Sequence, residues 1–360
     1  MYIASLTVGG SERVCADLCN GFITQGVKVE LLLVNAFGAY LAQLDSRVRV
    51  VDFKASRGLN ALGRVSRHLR KSPKIPVLVF GFNLGVALLL ARRLRLHKAP
   101  VIYREGSSPK WYLKPLQRWG YPWGISKADK VIAQSNAARE ELSQLGVPAD
   151  KMVVIPNPCR SAASPARHPE RASNESPLVL GIGRLSPEKG FDRLIRGFQR
   201  FRSAMPSARL VILGEGPERE RLDRLIVELG LKECVSLPGF VSEVTSWYER
   251  ADVFALSSHY EGQPNSLIEA ILHQCPVVCA AGHGGTIELI QAAGLEDCLV
   301  PDDQFEELFA DRLRAVLNLD LSRWQRAREK LAALTDFETV LQRYLNVCGI
   351  ESGCPDPVRS

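Results

Sequence analysis

The chain has 360 residues, of which 46% are hydrophobic and 24% charged, and its formal net charge is +7. This length exceeds what one hydrophobic core usually holds, so the sequence predicts two domains of ordinary size. Its nine cysteines, an odd number without paired spacing or a Cys/His cluster, exclude a disulfide framework. They indicate a reducing compartment, with the cytoplasm as the expected location.

The charge is unevenly distributed between the two halves. Residues 1–175 carry a net charge of +14 and residues 176–360 one of −7. A basic half suits an anionic partner such as a nucleic acid, a phospholipid surface or a phosphorylated substrate, although many basic proteins are merely soluble. No nucleic-acid partner is expected, because the basic residues lack the interleaved aromatic residues of a recognisable nucleic-acid motif.

Short apolar runs alternate with helical patterns throughout the first half, which predicts a parallel α/β sheet. The seven predicted strands are, in chain order, YIASL, VKVELLLV, VRVVDF, PVLVF, PVIYR, KVIAQS and MVVIP. After the first of them, Gly9 and Gly10 form a turn that can approach a ligand closely, with Ser11 as the predicted N-cap of the first helix.

A basic helix is predicted between the third and fourth strands. Its apolar residues Leu59, Leu62, Val65 and Leu69 fall on one face. Five cations cover much of the remaining surface: Arg57, Arg64, Arg67, Arg70 and Lys71. This pattern allows peripheral binding to the anionic inner face of a membrane, or an ordinary outer helix whose apolar side packs on the sheet; both can hold.

The nearly apolar stretch 75–91 also allows two interpretations. It approaches the roughly 18 residues that span a bilayer, but Pro76, Asn83 and two glycines interrupt it. We therefore predict a buried strand over Val77–Phe80 and then a helix from about Gly85, with a transmembrane helix as the alternative.

The second half repeats the alternation of strands and helices. Its predicted strands are LVLGIG, RLVILG, VSLPG, VFALSS and PVVCAA, separated by helices over GFDRLIRGFQRF, PERERLDRLIVELG and NSLIEAILHQ. Between the halves, residues 161–176 lack periodicity, which predicts a linker. Two doubly wound domains joined in this way would leave a cleft at the carboxyl ends of both sheets, where ligands bind.

Two loops of the second half contain candidate functional residues. The strand Leu178–Ile182 leads into a turn with Arg184 and Lys189, and the next helix opens near Phe191. Two cations on one loop can neutralise a diphosphate that gains charge as it leaves, although solvated surface charge is the plain alternative.

The second loop belongs to the segment YEGQPNSLIEA. It places Glu261 before a helix that Asn265 can cap and Glu269 within that helix's second turn. Free N–H groups at Asn265, Ser266 and Leu267 would suit a phosphate, and the two carboxylates would accept hydrogen bonds from sugar hydroxyls. A nucleotide sugar supplies both kinds of group.

These motifs resemble those of the family 4 retaining glycosyltransferases with the GT-B fold. The resemblance rests on GGSER at 9–13, GRLSPEKG at 183–190 and EGQPNSLIE at 261–269, in this order and at the family spacing. It implies an acceptor-side Rossmann-like domain over 1–160, the linker 161–176, a nucleotide-sugar-binding domain over 177–334, a helix over 335–350 that crosses back to the first domain, and a tail over 351–360.

The resemblance also implies roles for particular residues. Arg184 and Lys189 would hold the donor diphosphate, Glu261 would meet the donor sugar and Glu269 the ribose hydroxyls. Further substrate contacts would come from the first domain and from two loops of the second: Gly9, Gly10, Arg104, Glu105, Phe240, Val241, Gly262, Gln263, Pro264, Asn265, Ser266 and Leu267. Arg104 and Glu105 stand where many members have a histidine, so a role for that histidine is not available here.

The implied reaction is the transfer of a sugar, a hexose or an N-acetylhexosamine, from a nucleoside diphosphate, UDP by preference, with retention of the anomeric configuration. The acceptor would be a glycan or a lipid-linked glycan of a bacterial surface polysaccharide. No Asp-x-Asp motif is present, so neither a metal nor another cofactor is expected. The alternatives are a sugar-nucleotide epimerase or hydrolase on the same fold and a non-catalytic nucleotide or nucleic-acid binder.

Overall fold

The structure is a computed structural model that describes residues 1–7, 9–107, 109, 121, 123–159 and 176–350. The chain divides into two compact units. Unit 1 consists of Met1–Pro158 with Phe337–Ser360, and unit 2 of Cys159–Asp336. The second change of unit thus falls two residues after the sequence-based boundary at 334. The predicted tail and all but one residue of the predicted linker lie outside the described residues.

Unit 1 is built on a seven-stranded parallel sheet in the order β3-β2-β1-β4-β5-β6-β7. The strands are β1 Tyr2–Ile3, β2 Glu30–Leu33, β3 Arg49–Asp52, β4 Val77–Phe80, β5 Val101–Arg104, β6 Lys130–Ala133 and β7 Met152–Val154. Its helices include α1 Gly10–Thr24, α2 Gly58–Leu69, α3 Phe82–Arg93 and α4 Asn136–Gln144. Each predicted apolar run contains one of these strands, so the predicted parallel α/β sheet is confirmed.

The apolar stretch 75–91 forms β4 and most of α3. The predicted strand is confirmed, but α3 begins at Phe82 and not near Gly85, because Gly81 adopts a positive φ of 95° and already turns the chain into the helix. All four residues of β4 are buried in the sheet. In the described part of the chain, no helix is long and apolar enough to cross a membrane.

Helix α2 packs its apolar side on the sheet, as the second interpretation of the basic helix expects. Ala61, Val65 and Leu69 are buried, whereas Leu59 is 74% exposed. The predicted single apolar face is therefore wrong at Leu59, which lies roughly 120° around the helix from the residues that contact the core. The cations of α2 point to solvent.

The last helix, α12 over Phe337–Val347, belongs to unit 1 although the chain reaches it through unit 2. Its Phe337 and Leu341 lie so close to Gly21 of α1 that a Cβ placed there would be 2.9 Å from either side chain. Glycine at position 21 therefore allows the two helices to approach each other.

Unit 2 contains a six-stranded parallel sheet in the order β10-β9-β8-β11-β13-β15. Its strands are β8 Leu178–Ile182, β9 Arg209–Leu213, β10 Val235–Gly239, β11 Val253–Leu256, β12 Tyr260–Glu261, β13 Val277–Ala280, β14 His283–Gly284 and β15 Leu299–Val300. Its helices are α5 Phe191–Ala204, α6 Arg219–Glu228, α7 Thr245–Arg250, α8 Asn265–Leu272, α9 Gly285–Ala293, α10 Phe305–Leu317 and α11 Leu321–Thr335.

All five predicted strands of unit 2 are present, and three short ones were missed. Strand β15 closes one edge of the sheet, and β12 pairs with β14 as a separate two-stranded ribbon. Strands of two residues leave no period in a sequence, so hydrophobic patterning does not detect them.

The strand order reverses once in each sheet. The reversal lies between β1 and β4 in unit 1 and between β8 and β11 in unit 2. In doubly wound folds, ligands bind beyond the carboxyl ends of the strands at such a switch point. The loops that follow β1, β8 and β11 carry the GGSER, GRLSPEKG and EGQPNSLIE motifs.

Candidate active site

The site in unit 2 is assembled from the loops that follow β8 and β11. The two loops are joined by hydrogen bonds: Ser257 Oγ donates to the Lys189 carbonyl at 2.9 Å, and the His259 N–H donates to the Glu188 carbonyl at 2.9 Å. Arg193 Nε also donates to the Ser257 carbonyl at 2.7 Å. The two motif loops are therefore held together before any ligand binds.

Gly190 makes this close approach possible. It adopts a left-handed conformation with φ of 60°, and a Cβ at this position would lie 2.4 Å from the Ser257 carbonyl oxygen. Both the backbone conformation and the available space therefore exclude a side chain without rearrangement. The predicted start of the next helix at Phe191 is confirmed.

The central contact is an ion pair between the two motifs. Lys189 Nζ donates to Glu261 Oε1 at 2.6 Å, and Ser258 Oγ donates to the same oxygen at 2.6 Å. The Lys189 side chain is 23% exposed and the Glu261 side chain is 10% exposed. A predicted phosphate-binding cation and a predicted sugar-binding carboxylate thus lie in direct contact.

Glu261 is part of a strand and not of a loop, which corrects the sequence-based interpretation. It pairs with Gly284 in the ribbon of β12 and β14. Gly284 has a φ of 102°, and a Cβ there would lie 1.9 Å from the Glu261 carbonyl oxygen. The ribbon therefore fixes the backbone that carries the carboxylate.

Arg184 differs from Lys189 in its surroundings. It is exposed, and its guanidinium makes no hydrogen bond or ion pair with any described residue. An exposed guanidinium on the turn that holds Lys189 is available to bind an anion bidentately.

Helix α8 starts at Asn265 with Pro264 as its N-cap, so the predicted cap at Asn265 is wrong. The Pro264 carbonyl accepts hydrogen bonds from the N–H groups of Leu267, at 3.1 Å, and Ile268, at 3.2 Å. The Leu267 N–H is therefore not free, contrary to the prediction. The N-terminus of α8 still carries the positive end of the helix dipole, which favours a bound anion.

Glu269 lies in the second turn of α8, as predicted, and is 8% exposed. The Tyr248 hydroxyl lies 3.0 Å from Glu269 Oε2 and 3.1 Å from the Ser266 carbonyl oxygen. The Tyr248 ring stacks on His273 with 5.5 Å between ring centroids. Burial lowers the pKa of His273, so this imidazole is neutral at pH 7.

The remaining predicted residues of unit 2 surround these groups. Gly262, Gln263 and Pro264 are buried between β12 and α8. Phe240 follows β10 and is 39% exposed, next to the half-buried Val241. An exposed aromatic ring beyond a carboxyl strand end offers a stacking surface for a nucleobase.

In unit 1, Gly9 and Gly10 lie at the start of α1. Gly9 is the N-cap in an extended conformation and Gly10 is the first helical residue. The predicted N-cap Ser11 is wrong because Ser11 is already inside the first turn, where its hydroxyl cannot take the capping position.

Arg104 and Glu105 are buried and already have protein partners. Arg104 Nε donates to the Tyr344 hydroxyl at 2.9 Å and its Nη2 to Asn157 Oδ1 at 2.5 Å. The Glu105 carboxylate accepts hydrogen bonds from two tyrosine hydroxyls and two backbone N–H groups: Tyr103, Tyr121, Gly106 and Ser107. These contacts support a scaffolding role, and the expected substrate contact of both residues stays a prediction.

Several residues of the site were not predicted. Tyr248 lies in the segment SWYERADVFALSS, whose pattern identifies a helix and a strand but not the contact with Glu269. His259 lies 3.9 Å from Asp302, measured from Nδ1 to Oδ2. Burial and the nearby Arg193 lower its pKa, and Asp302 opposes this. Among the described residues, no group of three or more His, Cys, Asp or Glu side chains is placed to hold a metal ion.

Solved structures share this architecture over nearly the whole chain. Anabaena HepE in complex with UDP-glucose superimposes with a TM-score of 0.83, and the match covers 97% of this chain and 98% of that one at 20% identity. Sucrose-phosphate synthase from Thermosynechococcus elongatus gives a TM-score of 0.78 over 96% and 94% of the two chains at 18% identity. These similarities establish the GT-B fold.

Sequence relatives and family models agree with the fold. An N-acetylgalactosaminyltransferase of Campylobacter jejuni that acts on a diphospho-undecaprenol-linked sugar is 26% identical over 80% of this chain and 82% of its own. The amylovoran biosynthesis glycosyltransferase AmsD of Erwinia amylovora is 25% identical over 86% of each chain. The model "Glycosyltransferase Family 4" matches residues 8–161 and "Glycosyl transferases group 1" matches residues 164–332. The chain is therefore a glycosyltransferase of family 4 with the GT-B fold.

Proposed function

We propose that this glycosyltransferase transfers a hexose or N-acetylhexosamine from a UDP-sugar to a hydroxyl of a glycan or lipid-linked glycan, with retention of the anomeric configuration. The reaction would serve the synthesis of a bacterial surface polysaccharide or a related glycoconjugate. The contact between Lys189 and Glu261 carries the proposal, since it brings a phosphate-binding cation and a sugar-binding carboxylate together at the switch point of unit 2.

The relatives support the choice of donor and acceptor. HepE binds UDP-glucose, the Campylobacter enzyme transfers N-acetylgalactosamine to a sugar on diphospho-undecaprenol, and AmsD takes part in amylovoran biosynthesis. We infer by analogy that this chain uses a UDP-sugar and an acceptor of the same class.

In the proposed reaction, a C–O bond forms between the acceptor oxygen and the anomeric carbon as the bond from that carbon to the β-phosphate oxygen breaks. The leaving phosphate takes the proton of the acceptor hydroxyl on the same face of the sugar. Arg184 and Lys189 stabilise the negative charge that develops on the diphosphate. Glu261 orients the donor sugar, and Glu269, held by Tyr248, accepts hydrogen bonds from the ribose hydroxyls.

We further propose that the reaction needs no metal. Two cations and the N-terminus of α8 supply positive charge where a divalent ion would otherwise act. Turnover should therefore persist in excess EDTA, and a loss of activity that Mg²⁺ or Mn²⁺ restores would refute this part of the proposal.

The experiment that tests the function combines binding and turnover. A panel of nucleotide sugars is first screened for thermal stabilisation, where a ligand at 100 times its Kd adds about 2.7 kcal/mol. The best donor is then incubated with and without lipid-linked and soluble glycan acceptors, and the product's anomeric configuration is read by NMR. We expect acceptor-dependent release of UDP and a product of retained configuration.

The same experiment separates the alternatives. An epimerase or hydrolase would convert the donor without an acceptor, and a non-catalytic binder would be stabilised by nucleotide without any turnover. Acceptor-independent conversion or a complete lack of turnover across the acceptor panel would each contradict a transferase of this specificity.

A further inference from the structure

One segment of unit 1 carries charge of a single sign. Residues 53–103 contain 11 Lys and Arg residues and no Asp or Glu. A folded domain normally intersperses charges of both signs on its surface, so an uninterrupted basic segment of this length produces a local positive field.

The fold gathers much of this charge at the amino edge of the sheet. Helices α2 and α3 pack side by side, and at their C-terminal ends Arg70 Nε donates to the Leu96 carbonyl at 2.8 Å. Strands β4 and β5, which follow these helical ends, pair in parallel with Val77 opposite Val101. The segments 67–75 and 90–98 therefore lie next to each other, and we call this surface the basic rim.

In the part of the chain that the structure describes, no carboxylate forms an ion pair with the cations of the basic rim other than Arg92. Seven of them are exposed, and none forms an ion pair with a carboxylate in the described ranges: Arg67, Arg70, Lys71, Lys74, Arg93, Arg95 and Lys98. Among ion pairs between described residues, Arg92 is the cation of this segment that takes part, and it contacts Asp129. Within the described ranges, the seven exposed cations thus have no paired counter-charges that would neutralise their field.

Apolar side chains protrude among these cations. Leu94 is 70% exposed, Ile75 62% and Leu90 38%, and Arg93 lies over the ring of the 48%-exposed Trp123 at 5.3 Å from its centroid. Cations around protruding aliphatic residues match the interface of an anionic bilayer, where phosphates meet acyl chains. A nucleic acid could stack on Trp123 but would gain little from the exposed aliphatic side chains Leu94 and Ile75.

We propose that the basic rim is the surface by which this protein binds an anionic phospholipid bilayer peripherally. The cations contact lipid phosphates, and Leu94 and Ile75 reach the acyl boundary. The apolar side of α2 does not take part, because Val65 and Leu69 are buried in the core. The rim lies at the amino edge of the sheet, opposite the edge that carries the motif loop of unit 1, so lipid binding leaves that loop free.

The test measures binding of the full chain to vesicles without any nucleotide, so that its outcome is independent of the proposed reaction. Wild-type protein should sediment with vesicles of equal parts phosphatidylglycerol and phosphatidylcholine, and not with phosphatidylcholine alone. Because each cation near an anionic surface contributes about fivefold to binding, the triple variant Lys71→Glu, Lys74→Glu, Arg95→Glu should bind at least ~100-fold more weakly.

A matched variant controls for net charge. Reversal of three exposed cations of unit 2, Arg200→Glu, Arg209→Glu and Lys232→Glu, changes the total charge equally and should leave vesicle binding within about threefold of wild type. All variants should unfold at the wild-type temperature, because every substituted side chain is exposed.

A second variant tests the apolar part of the rim. Leu94→Ser with Ile75→Ser keeps every charge and should weaken binding by about tenfold or more, since two aliphatic side chains no longer enter the interface. The proposal fails if wild type does not prefer anionic vesicles, if the rim and control triples lose binding equally, or if the serine variant binds as wild type does. Rim-dependent binding to oligonucleotides without binding to vesicles would also overturn it.

Discussion

The substitution Glu261→Gln, which removes a negative charge, should lower the Kd for UDP and also lower the free energy of unfolding. In the ligand-free structure, Lys189 Nζ already contacts Glu261 Oε1 at 2.6 Å. A diphosphate that also binds this ammonium comes within about 5 Å of the carboxylate, given ordinary charge-assisted distances. The two anions then repel each other, and Glu261→Gln removes this repulsion.

The magnitude follows from Coulomb's law. Two unit charges about 5 Å apart interact by roughly 0.8 kcal/mol at the dielectric constant of water and by roughly 3 kcal/mol at an effective value of 20. The site is partly exposed, so we take about 1 kcal/mol, which corresponds to an approximately fivefold lower Kd for UDP. Lys189 is 23% exposed, so loss of the ion pair should cost about 1 kcal/mol of folding free energy.

Isothermal titration calorimetry with UDP and thermal unfolding measure the two effects on the same samples. UDP lacks the donor sugar, so the lost contact between Glu261 and the sugar does not affect the comparison. Glu228, an exposed residue at the end of α6, provides the control. Glu228→Gln should change neither the Kd for UDP nor the unfolding temperature. A variant that merely damages the site would lose both stability and affinity for UDP. Weaker UDP binding by Glu261→Gln would therefore refute the reasoning. In turnover with the true donor, the same variant should mainly lower kcat, because Glu261 orients the sugar.

Four further substitutions test the other groups of the site. Arg184→Ala should lower kcat by about 10²-fold, the scale of one lost preorganised donor, and should leave unfolding unchanged because the side chain is exposed; wild-type turnover would show that the loop is only a turn. Glu269→Ala should mainly raise the donor KM in steady-state kinetics, and an effect confined to kcat would reverse its assigned role. Tyr248→Phe should reduce the preference for UDP over 2′-deoxy-UDP in competition binding, whereas a purely structural hydroxyl would leave that ratio unchanged. Gly190→Ala should lower the unfolding temperature and weaken UDP binding together, because its Cβ would meet the Ser257 carbonyl at 2.4 Å.

The sequence predicted the scaffold of the site better than its contacts. Buried parallel strands are continuous apolar runs, so β4 and β8 were predicted with their observed bounds. The positions of Lys189 after β8 and of Glu261 after β11 followed from the ends of those strands, although Glu261 lies in a short strand and not in a loop. Their direct contact did not, since a pair 72 positions apart depends on how two loops close over a switch point.

Three kinds of error have a physical cause. Caps were misplaced at Ser11 and Asn265 because polar residues suit both the N-cap and the first turn, and only the backbone decides between them. The strand that carries Glu261 was missed because its partner, Gly284, is distant in sequence and both strands have two residues. Tyr248 was missed because a buried tyrosine in a short helix is read as core.

The discontinuous composition of unit 1 has a consequence for synthesis on the ribosome. Phe337 and Tyr344 belong to the core of the first unit, so that core stays incomplete while Cys159–Asp336 is translated. At about 5–20 residues per second this delay lasts roughly 10 to 35 s. Unit 2 is contiguous and can close earlier, so the unit that begins first is completed last. During the delay, the Arg104 guanidinium lacks the Tyr344 hydroxyl, and the surface of α1 around Gly21 is not yet covered by α12, so apolar surface stays exposed.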